Sequence, residues 1–129
     1  MDTNILVDVL QDDPQWADWS IGQLRAQASV HQVVINPVIY AEMSLSFSTL
    51  EALERLVKTL LLELREIPQP ALFLAAKAYA QYRKRGGRRL SVLPDFFIGA
   101  HAAVEGWPLL TRDARRFRTY FPGLEVLAP

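Results

Sequence analysis

Four acidic residues stand where apolar segments begin, end or are interrupted. They are Asp2 in Met1-Asp2-Thr3-Asn4, Glu42 in Ile39-Tyr40-Ala41-Glu42-Met43, Asp95 in Leu93-Pro94-Asp95-Phe96-Phe97 and Asp113 in Leu109-Leu110-Thr111-Arg112-Asp113. A carboxylate set against a core loses hydration, and a partner has to offset that loss. Three of the four have no lysine or arginine beside them in the chain. A shared divalent cation would neutralise all four, and carboxylates gathered round such an ion are the equipment of metal-assisted hydrolysis. Taken singly, each acid has a plainer role. Asp2 and Asp95 suit helix caps, and Asp113 suits an ion pair with Arg112, Arg115 or Arg116. Glu42 fits a plain role least well, because Val38, Ile39 and Leu45 at i−4, i−3 and i+3 put it on the apolar face of a helix.

The elements that must position these acids follow from the hydrophobic pattern. A short helix is expected through Ile5, Leu6, Val9 and Leu10, capped by Thr3 or Asn4 and ended by Asp12-Asp13-Pro14. A second runs from Trp16 to Ala28. Val33-Val34-Ile35 reads as a buried strand stopped by Asn36-Pro37. Helices follow through Val38 to Leu45 and from Leu50 to Leu64, with a short strand at Arg65-Glu66-Ile67. An alanine-rich helix from Ala71 to Arg85 ends at Gly86-Gly87. Arg88 to Leu93 reads as loop, and Pro94-Asp95 opens a helix to Glu105. Pro108 to Thr111 and Leu124 to Leu127 are strands, with a short helix starting at Asp113 between them. Short apolar strands alternating with helices imply an α/β fold, a mostly parallel central sheet with helices on both faces, spanning residues 1–129 as one domain. Ligands of such sheets bind beyond the carboxyl ends of the strands, where all four acids would meet.

The composition narrows the chemistry further. Half of the 129 residues are hydrophobic and 22% are charged, which excludes a disordered chain. There is no cysteine, so a metal would be held by oxygen or imidazole. No leader pattern or membrane-length apolar run is seen, and the cytoplasm is the expected compartment. The formal charge is zero, but residues 83 to 118 are net positive and residues 1 to 82 net negative. A polyanion would be drawn to the positive segment, unless its arginines simply coat solvated helix faces.

Asp2-Thr3-Asn4 before an apolar helix, Glu42 inside one, Asp95-Phe96-Phe97-Ile98-Gly99-Ala100-His101-Ala102, and Leu109-Leu110-Thr111-Arg112-Asp113 followed by Phe117 together resemble the PIN domain, in particular its VapC-type bacterial toxins. The resemblance covers the whole chain. It implies a three-layer PIN fold and a Mg²⁺- or Mn²⁺-dependent endoribonuclease that pairs with a cognate antitoxin and forms a homodimer. Carried over by position, the ligand carboxylates are Asp2, Glu42, Asp95 and Asp113, supported by Asn4 and Thr111. The family pattern also places an apolar strand ahead of Asp2, where this sequence has Met1 alone, so Asp2 is expected on a loose terminus.

RNA would meet Arg85, Arg88 and Arg89 in the Arg83 to Arg89 loop and Arg112, Arg115 and Arg116 on the Arg112 to Arg118 helix, with Tyr79, Tyr82, Phe117 and Tyr120 available for base stacking or for the core. His101 and His31 are expected to be bystanders. Two other functions remain open. A phospho-acceptor domain would need a lysine next to the acids, but Lys58, Lys77 and Lys84 all fall on helices or a helix end. A PIN-like module that binds RNA or a protein without cleaving is the alternative within the same fold.

Overall fold

The computed structural model describes residues 1–129 and is built from seven helices and four two-residue strands. The order is α1 Thr3–Leu10, α2 Ala17–Ala28, β1 Val34–Ile35, α3 Pro37–Ser44, α4 Leu50–Thr59, β2 Glu63–Leu64, α5 Gln69–Lys84, α6 Leu93–Glu105, β3 Leu109–Leu110, α7 Arg115–Tyr120 and β4 Val126–Leu127. A 3-10 turn at Leu90–Val92 leads into α6. The expected α/β architecture with parallel strands stands. Local chemistry explains most boundaries. Asn36 stops β1 and caps α3 by accepting from the Ile39 N–H, Pro37 takes the first helical position, and Gly86 ends α5 with φ of 90°.

Several boundaries differ from the sequence pattern. The apolar run Leu50 to Leu64 does not stay helical. Leu61 turns left-handed at φ 54°, the Leu62 N–H bonds the Val57 carbonyl, and Glu63–Leu64 swing out to pair in parallel with Val34–Ile35. Strand β2 therefore precedes the expected Arg65-Glu66-Ile67, because pairing with β1 outweighs helical periodicity. Helix α7 begins at Arg115, leaving Asp113 in the turn before it, and Asp2 rather than Thr3 or Asn4 takes the cap position of α1.

The sheet is in two halves. One pairs β1 with β2, the other pairs β3 with β4 through Leu109–Val126 and Leu110–Leu127, and both are parallel. Met1 and Asp2 join them: the Met1 ammonium donates to the Val34 carbonyl at 3.3 Å and the Asp2 N–H donates to the Leu110 carbonyl at 2.8 Å. Far from lying on a loose terminus, Asp2 is buried. Behind these two residues a groove of about 390 Å³ runs between the halves, lined by Val33, Val34, Pro108 and Leu110 among others. The core around this seam comprises Ile5, Leu6, Ile35, Ile39, Met43, Phe96, Ile98, Leu109 and Phe117. Gly99 lets α7 approach α6, since a Cβ there would lie 2.5 Å from the Phe121 ring.

In a parallel ladder alternate residues bond to opposite sides, so Val34 and Leu110 direct their remaining backbone groups into the groove. Adding about five apolar residues ahead of Met1 should fill it as a strand and raise the melting temperature by several degrees, as a few kcal/mol does in a domain of this size. Identical melting of the extended and unextended proteins would show that the groove does not accept a strand.

Candidate active site

The acids converge. Asp2, Glu42, Asp95 and Asp113 line one open cavity of about 290 Å³, together with Thr3, Asn4, Val7, Leu45, Arg112 and Phe117. Each arrives by a different route. Asp2 occupies the cap position of α1 at the junction of the half-sheets, Glu42 projects from α3, Asp95 lies in the first turn of α6, and Asp113 follows β3.

Hydroxyls and one arginine orient the carboxylates. Thr111 is fully buried, and its hydroxyl donates to Asp2 Oδ2 at 2.8 Å while accepting from Asn4 Nδ2 at 3.3 Å and the Asp113 N–H at 3.1 Å. These bonds set Asn4 and Thr111 against Asp2 and Asp113. Thr3, which the sequence pattern suggested only as a cap, donates its hydroxyl to Glu42 Oε1 at 2.6 Å. Asp95 also has a cationic partner that its neighbours in the chain did not suggest: Arg116 Nη1 lies 2.5 Å from its Oδ2.

Burial raises the Asp2 carboxyl to about 6, and the nearby Asp95 and Glu42 charges push the same way against the Thr111 hydrogen bond. Burial likewise raises Asp95, with Arg116 opposing it. The Met1 ammonium is lowered to about 6 by desolvation. The donor set is all oxygen, which suits a hard divalent cation, and such an ion would relieve the unfavourable ionisation of Asp2. No three carboxyl or imidazole groups stand close enough together to ligate one ion directly. An ion placed here would therefore keep much of its water, as Mg²⁺ does.

The other candidates separate. Arg112 lines the cavity and Arg116 is tied to Asp95, whereas Arg115 is exposed on α7. Arg85 lies over the Tyr120 ring at 5.3 Å, and Arg88 and Arg89 are exposed after α5. The proposed stacking aromatics belong mainly to the core. Tyr79, Tyr82 and Tyr120 surround the buried Phe96 with centroids 5.3 to 5.6 Å from its ring, and Phe117 is buried. His101 does not line the cavity; it is buried with Nδ1 3.2 Å from Asn36 Nδ2, and burial lowers its pKa. No lysine lines the cavity, which removes the phospho-acceptor reading.

Residues 1–121 match the PIN domain family. The chain is a PIN domain. PIN domains are generally nucleases, and the acidic cavity lies inside the matched region. The fold is similar to that in a VapBC2 complex from Rickettsia felis bound to a promoter DNA fragment, with 20% identity, a TM-score of 0.73, and 99% of this chain and 96% of that one covered. It is also similar to DNA-bound VapBC from Salmonella typhimurium, at 19% identity and TM-score 0.70 over 98% of this chain and 94% of that one. FitAB bound to an IR36 DNA fragment gives 22% identity and TM-score 0.69 over 99% and 92%. No curated protein matches the sequence. No helix is long and apolar enough to cross a membrane.

The raised Asp2 pKa has a defined sign. Its folded form binds more protons than the unfolded chain between roughly pH 4 and 6, so this residue lowers stability as pH rises through that window, by up to about 3 kcal/mol without metal. Asp2→Asn keeps an acceptor for Thr111 and should raise the melting temperature in chelator at pH 7 but hardly at pH 4. An equal change at both values would mean that Asp2 is not held in an unfavourable charged state.

Proposed function

We propose that this PIN domain is a divalent-metal-dependent endoribonuclease, the toxin of a toxin–antitoxin pair. The observation that carries the reading is the meeting of Asp2, Glu42, Asp95 and Asp113 in one cavity. These four carboxylates would hold Mg²⁺ or Mn²⁺ largely through the ion's own waters, with Thr111 and Thr3 fixing the orientation of Asp2 and Glu42. A bound ion supplies Lewis-acid stabilisation of charge on the phosphodiester and favours deprotonation of the attacking water. The carboxylates themselves orient that water, and Arg112 at the cavity wall receives substrate phosphate. Arg85, Arg88, Arg89 and Arg115 extend a positive surface along which RNA can lie, countering the repulsion of the acidic pocket.

The resemblance to VapC-type toxins, and the VapBC and FitAB complexes among the similar folds, support a cognate antitoxin as partner; the resemblance to VapC-type toxins also implies a homodimer as the assembled form. A cytoplasmic protein would meet both RNA and antitoxin. One observation favours a second reading, a PIN-like module that binds RNA or protein without turnover: Arg116 already holds one Asp95 oxygen at 2.5 Å.

RNA cleavage with Mg²⁺ or Mn²⁺, compared with chelator, separates the two. Glu42→Gln keeps an oxygen for the Thr3 hydroxyl but removes the charge. It should reduce cleavage on the order of a hundredfold or more, the scale of losing an electrostatic group at a reaction centre, with an unchanged or higher melting temperature in chelator. Metal-independent cleavage, or full activity in the variant, would overturn the nuclease assignment to these residues.

A further inference from the structure

Asp8 is a buried acid that the proposed reaction does not use. It sits on α1 at 3% exposure, accepts from Ser20 Oγ on α2 at 2.9 Å, and places Oδ2 3.3 Å from Arg112 Nε. Arg112 is the one basic side chain lining the acidic cavity. Its main chain is held too, the N–H donating to Asn4 Oδ1 at 3.3 Å, and its guanidinium carbon lies 5.8 Å from the centre of the Trp16 ring.

We propose that Asp8, with Trp16, is a positioning residue that holds the Arg112 guanidinium at the cavity as the cation receiving the phosphate of bound single-stranded RNA. The proposal rests on the nuclease reading above for the identity of the substrate. The contact geometry distinguishes positioning from simple neutralisation. Asp8 approaches the Nε side only, and the Nε–H is buried without a well-aligned acceptor, so the pair is not the bidentate fork that maximises ion-pair strength. Contact at Nε leaves the two terminal amino groups for another anion. The Trp16 face limits rotation of the planar group from the other side. Arg116, the neighbouring cation, is occupied by Asp95 and cannot take this role without giving up that partner.

The sign of a charge removal decides the matter. Asp8→Asn deletes a negative charge close to the cavity, and charge alone would then strengthen RNA binding. Loss of positioning would weaken it. Binding of a short single-stranded RNA oligonucleotide is measured in chelator across a salt series, which prevents metal-dependent cleavage. Arg112→Ala should reduce the salt slope by about 0.7, one phosphate contact on a single strand. Asp8→Asn should weaken binding about fivefold, the scale of one ordinary net hydrogen bond, and add little to Arg112→Ala in the double variant. Trp16→Leu supplies the same readout if Asp8→Asn fails to fold, with an expected loss in the same direction. Unchanged or tighter binding by Asp8→Asn, additive effects of Asp8→Asn and Arg112→Ala, or absence of RNA binding by the unaltered protein would overturn the proposal. In the Trp16→Leu arm, unchanged binding would do so. Binding that follows this pattern without metal-dependent cleavage would sink the nuclease reading and leave the Arg112 arrangement standing.

Discussion

The Asp2 carboxylate sets the constraint around which the rest of the site is arranged. It is buried at the seam between two half-sheets, close enough to Asp95 and Glu42 for their charges to disfavour its own. In water such repulsion is weak, but in a partly desolvated pocket it opposes folding. Thr111 offsets some of it by donating a hydrogen bond, and Arg116 neutralises Asp95. What these bonds leave uncompensated opposes folding of the metal-free protein. Under the proposed function, affinity for an ion and reduced stability without it would be two expressions of one charge distribution.

The same residue links the site to the fold. The Asp2 N–H bonds to Leu110 and its side chain to Thr111, the next residue along, so β3 holds both the backbone and the carboxylate. Asn4 reaches back to Thr111 and Arg112, which fixes the first turn of α1 against the segment after β3. Helix α6 delivers Asp95 from the opposite side, and Gly99 allows α7 to come near enough for Arg116 to reach it. Displacement of the chain start would therefore disturb the carboxylates directly.

Much of this was legible in the sequence. An acid interrupting an apolar pattern is conspicuous, and that signal singled out Asp2, Glu42, Asp95 and Asp113. Parallel α/β topology followed from alternating short strands and helices. Other features depend on tertiary choices that no local pattern encodes. The pairing of Glu63–Leu64 with β1 overrode an uninterrupted helical periodicity. The partner of Asp95 lies on another helix, and local reading instead offered Arg116 to Asp113. Asp8 carried the same signal as the four site acids, since it interrupts Ile5, Leu6 and Val9, but its partners Ser20 and Arg112 are remote in the chain. Tyrosines at helical spacing fit a core or a stacking surface equally well, and only their packing around Phe96 separates the two.

Under the proposed function, one charge distribution both destabilises the metal-free protein and holds a divalent ion. Thermal melting at pH 7 with and without Mn²⁺, for the unaltered protein and for Asp95→Asn, tests it most directly. An ion that binds only the folded form raises stability by about 2.7 kcal/mol at a hundred times its dissociation constant, which is several degrees in a small domain. That shift is expected in the unaltered protein, and its loss in Asp95→Asn. No shift in the unaltered protein, or the same shift in both, would contradict it.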